Sequence, residues 1–252
     1  MRYRPEIDGL RAIAVIPVIL FHAGVQLFSG GFVGVDIFFV ISGYLITTII
    51  LADLETGQFS ILKFYERRAR RILPALYVVM VLCLPFAWLW LMPDDAKEFS
   101  NSALAVLVFA SNIYFWRSNN YFDAESDLKP LLHTWSLGVE EQFYMLFPIF
   151  LMLAWRLGRK TIVGLLTIVA LLSLALAVYA TDTKPAVAFF LLPTRGWELA
   201  MGSLIAFYLE GKARDQFPPA LNQALSLVGF GLIAGAALTF TKETPFPGFY
   251  AL

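Results

Sequence analysis

Long apolar runs recur along this 252-residue chain and constrain its fold more than any other feature. A helix needs about 20 consecutive, mostly apolar residues to cross a bilayer, and several charge-poor runs approach or exceed that length. Hydrophobic residues make up 59% of the composition, which is more than an ordinary soluble domain contains. We therefore predict an all-α fold, a polytopic transmembrane helix bundle of seven or eight hydrophobic segments. The runs are 10–28, 31–52, 73–92, 99–116, 131–155, 161–180, 186–209 and 221–241.

Basic residues at the start of the chain and after the second run indicate its orientation. Arg2, Arg4 and Arg11 precede or open the first run, and the densest basic cluster lies in a predicted loop at 53–71. Because cytoplasmic loops carry an excess of Lys and Arg, both signals place the N-terminus in the cytoplasm. No small-residue cleavage site follows the first run, so we expect a retained helix and not a signal peptide.

The run 99–116 leaves two topologies open. Asparagine and serine residues interrupt it, so it is weaker than its neighbours. If it spans fully, the basic loop after Trp155 falls outside, against the positive-inside tendency. If it is re-entrant, that loop and the loop holding Lys212 and Arg214 fall inside. We favour the re-entrant version.

Charge and motif content exclude several classes of protein. The 19 basic and 19 acidic residues balance, and the basic ones cluster between apolar runs, so we expect no nucleic-acid partner. Cys83 is the single cysteine, so no intrachain disulfide can form. The sequence contains no glycine-rich phosphate loop, paired-cysteine motif, HExxH or GxSxG. We therefore expect no metal, and no nucleotide-hydrolysis or serine-hydrolase site.

Ionisable residues inside the apolar runs are the candidate functional groups. Arg11 and His22 stand eleven positions apart, so in a helix they share nearly one face and lie about 16 Å apart along the axis. A lipid-facing charge is costly, so we expect the ionisable groups to converge inside the bundle. We also expect the carboxylates of the second and fifth runs to lie level with His22. The groups in later runs are Asp36, Glu140, Glu141, Arg195 and Glu198.

Two functions use such groups, and the residues by themselves leave both open. A histidine flanked by carboxylates suits general base catalysis, because the acid orients the ring and stabilises the imidazolium. Proton-coupled transporters assemble the same residue types. Structural roles are the alternative: His22 would cap a neighbouring carbonyl, and Arg195 with Glu198 would form an i, i+3 ion pair.

The basic segment FYERRARRI is a second chemical feature. It contains four arginines within five positions, Arg67, Arg68, Arg70 and Arg71. Positive-inside charge alone accounts for many such segments. The functional interpretation is a cytoplasmic phosphate clamp, because guanidinium groups bind phosphate in a bidentate manner.

Five ordered motifs carry a resemblance to a known family. They are EIDGLRAIAVIPVILFHAG, GGFVGVDIFFVISGYLIT, FYERRARRILPAL, HTWSLGVEEQFY and FFLLPTRGWELAMG. Together they resemble membrane acyltransferase family 3, in particular the bacterial O-acetyltransferases of cell-surface polysaccharide and lipopolysaccharide O-antigen. The resemblance implies a single transmembrane acyltransferase domain over 1–252, in the bacterial inner membrane. It further implies cytoplasmic acetyl-CoA as donor and a hydroxyl of a surface glycan or lipid-linked sugar as acceptor.

The resemblance also assigns roles to residues. The family's arginine and histidine motif falls on Arg11 and His22, its basic motif on the four arginines, and its acidic motif on Glu140 and Glu141. We assign catalysis to His22, Glu140, Glu141 and Asp36. We assign binding of coenzyme A to Arg11, Arg67, Arg68, Arg70 and Arg71, and binding of the acceptor to His133, Trp135, Arg195 and Glu198.

Two mechanisms remain open for His22. As a general base it removes the acceptor hydroxyl proton, with Glu140 or Asp36 orienting the ring. As a carrier it attacks the thioester itself and then passes the acetyl group on. A non-catalytic scaffold for envelope enzymes is a third class. Family members usually have more membrane helices, and many continue into a periplasmic SGNH-type domain, so we expect this chain to be incomplete at its C-terminus.

Overall fold

The computed structural model describes residues 4–118, 129–210 and 218–252. Arg2, Lys212 and Arg214, which entered the orientation argument, lie outside the described residues. The described part of the chain contains ten α-helices and no strand. The helices are α1 (Pro5–His22), α2 (Gly34–Glu55), α3 (Ile61–Trp90), α4 (Pro93–Leu107), α5 (Ser111–Ser118), α6 (Thr134–Ala154), α7 (Arg159–Thr183), α8 (Pro185–Phe190), α9 (Leu192–Leu209) and α10 (Pro219–Thr239).

Five of the described segments are long and apolar enough to cross a membrane. They contain α2, α3, α6, α7 and α10, and the segments are Gly31–Glu55, Ile61–Trp90, Thr134–Leu157, Arg159–Thr183 and Pro219–Thr239. The chain therefore folds as the predicted all-α membrane helix bundle. Following the predicted orientation, we call residues 23–33 and 91–93 the outer end of the bundle, and residues 56–60 and 155–158 the inner end.

Helix α2 lies at the centre of the bundle, in contact with α1, α6 and α9. Its closest neighbour is α9, and two glycines permit the approach. A Cβ added at Gly43 would lie 1.9 Å from the carbonyl oxygen of Leu199, and one added at Gly202 would lie 2.0 Å from that of Val40. The backbones of the two helices are therefore in direct contact.

Contacts between helices show that α2, α6 and α9 run in the same direction, from the outer end to the inner end. Phe39 and Ser42 of α2 contact Trp135 and Glu140 of α6, in the same order along both helices. Thr47 donates a hydrogen bond to Ser203 at 2.8 Å, four residues beyond the Gly43 contact on both helices. Helix α3 runs the opposite way. Tyr65 donates to the carbonyl of Met145, whereas Arg68, further along α3, pairs with Glu141, which lies earlier in α6.

The weak run 99–116 folds as a helical hairpin. Its arms are α4 and α5, and its tip is a turn at 108–110. The Tyr114 hydroxyl reaches back to the Glu98 carbonyl at 3.3 Å, so α5 returns toward the start of α4. Gln142 of α6 donates to the carbonyl of Phe109 at 3.0 Å and holds the tip against the bundle. This is the geometry of the re-entrant alternative.

The arginine segment departs from the expected loop. The arginines lie in the first three turns of α3, which begins at Ile61. Ser60 caps the helix by accepting a hydrogen bond from the backbone N–H of Lys63. Arginine is also a good helix former, so the basic segment continues directly into the apolar one.

Of the last two predicted runs, the first is divided into two helices and the second forms one helix. The predicted segment 186–209 is interrupted at Leu191, which separates α8 from α9. Helix α10 joins the bundle at the outer end, where Ser29 donates to the Phe240 carbonyl at 2.7 Å and the N–H of Gly30 donates to the Ala237 carbonyl.

Candidate active site

Two histidines come together at the outer end of the bundle. His22 is the last residue of α1, and His133 immediately precedes α6. Nδ1 of His22 donates to the carbonyl of Val18 at 2.8 Å. The pKa of His133 lies below its ordinary value because surrounding protein desolvates the imidazolium and because a charge on His22 opposes it; the backbone of Pro130 acts in the other direction. The structure therefore places His22, the predicted catalytic histidine, near His133, a predicted acceptor-binding residue.

A second cluster is built around Arg195 and is fully enclosed. The guanidinium of Arg195 is 0% exposed, and its Nη1 donates to Asp36 at 2.5 Å and to Glu198 at 2.7 Å. Its Nε donates to the Phe189 carbonyl. Asp36 comes from α2, whereas Arg195 and Glu198 come from α9. The predicted i, i+3 pair between Arg195 and Glu198 is thus present, and Asp36 of α2 completes a three-residue ion cluster.

Aromatic rings surround this Arg195 cluster. The guanidinium carbon lies 5.2 to 5.9 Å from the ring centroids of Phe39, Trp135, Phe189 and Phe246. Trp135, a predicted acceptor residue, is itself only 1% exposed. Such packing strengthens the interactions of a buried cation with its carboxylates and with the ring faces.

A third cluster lies between α3 and α6. Arg68 pairs with Glu141 at 2.6 Å, and its guanidinium carbon lies 4.0 Å from the ring centroid of Tyr144. The Nε atom of Arg68 is buried and has no hydrogen-bond partner among the described residues. The neighbouring Glu140 accepts a hydrogen bond from Ser42 of α2 at 2.7 Å.

The other three arginines of α3 face outward. Arg67 pairs with Asp53 and Arg70 pairs with Glu66, with 57% and 80% of the arginine side chains exposed, against 17% for Arg68. Arg71 is exposed as well. Arg11 is partly buried in α1, 3.7 Å from Asp8. Only Arg68 among the four arginines of α3 therefore turns its side chain into the bundle.

The structure separates groups that were expected to lie at one level. Gly31 packs on the carbonyl of Pro17, and His22 lies five residues further along α1, about 7 Å beyond that contact. Glu140 is bonded to Ser42, eleven residues from Gly31 in the other direction, or about 16 Å. His22 and Glu140 are thus roughly 24 Å apart along the bundle axis. Because each carboxylate pairs with a group on the helix beside it, the charges form separate clusters and not one site.

Two contributors to the Arg68 cluster were missed by sequence reasoning. Tyr144 follows Glu141 by three positions, so a helical spacing could have placed both on one face. Ser42 gave no such signal, because its role depends on α2 lying beside α6. Among the described residues, no group of three or more His, Cys, Asp or Glu side chains is arranged to hold a metal ion.

Comparison with known proteins identifies the family. A family model described as an acyltransferase domain matches residues 4–251. The chain belongs to this acyltransferase family. It is 40% identical over 212 residues to the peptidoglycan O-acetyltransferase OatA of Listeria monocytogenes, covering 82% of this chain and 34% of that protein. It is 38% identical over 211 residues to the O-acetyltransferase OatA of Staphylococcus aureus, covering 82% and 35%.

This acyltransferase chain thus spans about a third of the length of the curated relatives it matches. No solved structure matches it. Family membership and the apolar helices establish a multi-pass membrane protein of the acyltransferase class, with O-acetyltransferases as its relatives.

Proposed function

We propose that the chain transfers an acetyl group from cytoplasmic acetyl-CoA to a hydroxyl of a cell-envelope carbohydrate, in the bacterial inner membrane. The observation that carries the proposal is the polar organisation of the bundle, with a part-buried arginine cluster toward the inner end and a histidine pair at the outer end. One end can hold an anionic donor, and the other can meet an acceptor alcohol.

The donor side is supported by Arg68. Its guanidinium is fixed by Glu141 and Tyr144, and its Nε–H has no partner within the described part of the chain. A phosphate oxygen of coenzyme A satisfies that donor in our proposal, because charge-assisted bonds to phosphate suit guanidinium groups. The exposed side of α3 carries Arg67, Arg70 and Arg71. Their positive charge attracts the anionic donor to the inner end of the bundle.

The acceptor side is supported by the ring geometry of His22. Because a carbonyl only accepts, the hydrogen bond to Val18 fixes the proton of the neutral ring on Nδ1. The lone pair is then on Nε2, the nitrogen that acts as base. An imidazole suits removal of a proton from an alcohol as the new bond forms.

In the proposed reaction the acceptor oxygen attacks the thioester carbonyl carbon while Nε2 of His22 takes the hydroxyl proton. The carbon–sulfur bond then breaks, and the thiolate leaves as coenzyme A after receiving the proton from the imidazolium. The products are the acetyl ester and the free thiol, so atoms and charge balance. Val18 takes the orienting position predicted for Glu140 or Asp36, since those carboxylates contact Ser42 and Arg195. The pantetheine arm extends along the bundle from Arg68 toward His22.

Replacement of His22 tests this proposal. We expect His22→Gln to leave acetyl-CoA binding intact but to lower turnover at least about a hundredfold, which is the lower end of what a positioned base contributes. The measurement is release of coenzyme A by the purified protein in lipid vesicles, with peptidoglycan oligomers and lipopolysaccharide supplied in parallel. His133→Gln is the matched variant. Turnover within a few-fold of the parent for His22→Gln would remove His22 from the chemistry.

The same sample separates direct transfer from an acetyl carrier. With labelled acetyl-CoA and no acceptor, direct transfer leaves no label on the protein, whereas a carrier mechanism leaves an acetylated histidine. The transporter that the residues alone left open is not favoured by the family. No coenzyme A release with any surface glycan would bring that alternative back.

A further inference from the structure

A cavity of about 270 Å³ lies at the outer end of the bundle, between α4, α5 and the segment that leads into α6. It begins below Leu91 at the end of α3 and is closed on another side by Lys129 and Pro130. Its volume is slightly below the range of about 300 to 1,000 Å³ typical of small-molecule sites. A single ring of sugar size suits it, and an extended chain does not.

The lining of this cavity combines hydrogen-bonding groups with flat apolar surface. Asp95 and Glu98 supply carboxylates, Ser102 and Tyr114 supply hydroxyls, and Phe99 with Phe115 supplies apolar surface. Lys129 pairs with Glu98 at 2.9 Å and cancels that charge. Asp95 forms no ion pair among the described residues, so its carboxylate is the strongest acceptor in the lining.

This lining favours a neutral polyhydroxyl ligand. A phosphate would be repelled by the carboxylate of Asp95, and an acyl chain would leave that carboxylate desolvated. A pyranose ring instead offers hydroxyls to the carboxylates and a face of C–H groups to an aromatic ring, as Tyr114 provides.

The cavity also lies beside the histidine pair. Pro130 forms its wall, and the backbone of Pro130 accepts a hydrogen bond from the ring of His133, the neighbour of His22. A ligand held by Asp95 and Tyr114 is therefore bound at the same end of the bundle as the proposed base, His22.

We propose that this cavity binds one sugar ring of the carbohydrate acceptor. The assignment rests on the proposed acetyl transfer for its biological meaning, but sugar binding is measured without acetyl-CoA, so the two can fail separately. Asp95 accepts hydrogen bonds from ring hydroxyls, and the ring of Tyr114 packs against a sugar face.

Ligand-observed NMR on the purified protein in detergent, with glucose and N-acetylglucosamine as probes, tests this inference. We expect saturation transfer to the ring protons of at least one probe with the parent. Asp95→Asn should lower the affinity about tenfold or more, the effect of losing one charged hydrogen bond. Tyr114→Leu should abolish the signal, whereas Tyr114→Phe, which keeps the ring, should retain it.

Asp94→Asn is the matched control, since Asp94 precedes Asp95 on the same helix and does not line the cavity. Binding that is unchanged in Asp95→Asn and in Tyr114→Leu, or absent for both sugars in the parent, would overturn the assignment. Acetyl transfer that persists alongside either result would leave the proposed function intact. Sugar binding without acetyl transfer would remove that function and keep the site.

Discussion

Single residues in this bundle differ in function because of the side of the helix on which they lie. Arg68 and Arg70 are two positions apart on α3, yet Arg68 turns inward to Glu141 and Arg70 turns outward to Glu66. Residues two apart on a helix do not share a face. A segment that looks uniformly basic in the sequence therefore presents two different surfaces.

This difference gives a prediction for the donor site. We expect Arg68→Lys to weaken acetyl-CoA binding several-fold or more, because lysine keeps the charge but loses the planar fork and the contact with Tyr144. Arg70→Lys should leave the affinity within about twofold, since exposed pairs contribute little. Titration calorimetry on the purified protein in detergent measures both. Equal affinities for the two variants would return the cluster to a role in topology alone.

The Arg195 cluster predicts a change in stability. Arg195→Met leaves Asp36 and Glu198 buried together without a cation, and breaking a buried pair costs about 3 to 5 kcal/mol. Asp36→Asn keeps the pair between Arg195 and Glu198 and should cost clearly less. Thermal unfolding followed by circular dichroism in detergent compares the two with the parent. An Arg195→Met variant with the same melting temperature as the parent would show that the cluster does not hold α2 against α9.

At the scale of helices, the contact between α2 and α9 depends on glycine. We expect Gly43→Ala and Gly202→Ala to destabilise the fold by roughly 1 to 3 kcal/mol or more, because each added Cβ would overlap a backbone carbonyl. Gly164→Ala in α7 is the control, since nothing lies within 4 Å of its added Cβ. Alanine there should be neutral or stabilising by up to about 1 kcal/mol. Similar melting temperatures for all three variants would contradict the close approach.

At the scale of the whole molecule, the hairpin of α4 and α5 decides the direction of everything after it. Since the hairpin returns to the outer end, α6 runs inward and Gly158 lies at the same end as Gly57. Reporter fusions after Gly57 and Gly158 should both give a cytoplasmic signal, and a fusion after Asp94 should give a periplasmic one. If 99–116 crossed the membrane, the fusion after Gly158 would instead give a periplasmic signal, like the fusion after Asp94. An external Gly57 fusion would reverse the predicted orientation.

The amino-acid sequence by itself determined the class of fold, because runs of about 20 apolar residues have few stable alternatives to membrane helices. It also identified the family, since five motifs in order are specific, and it named the ionisable groups that cost too much to face lipid. The partners of those groups followed only from the tertiary structure. Whether Asp36 meets His22 or Arg195 depends on which helices pack together and in what register, and that is set by contacts distant in sequence such as Gly43 against Leu199. The inward turn of Arg68 and the cavity beside His133 have the same origin: each is formed by helices that only packing brings side by side.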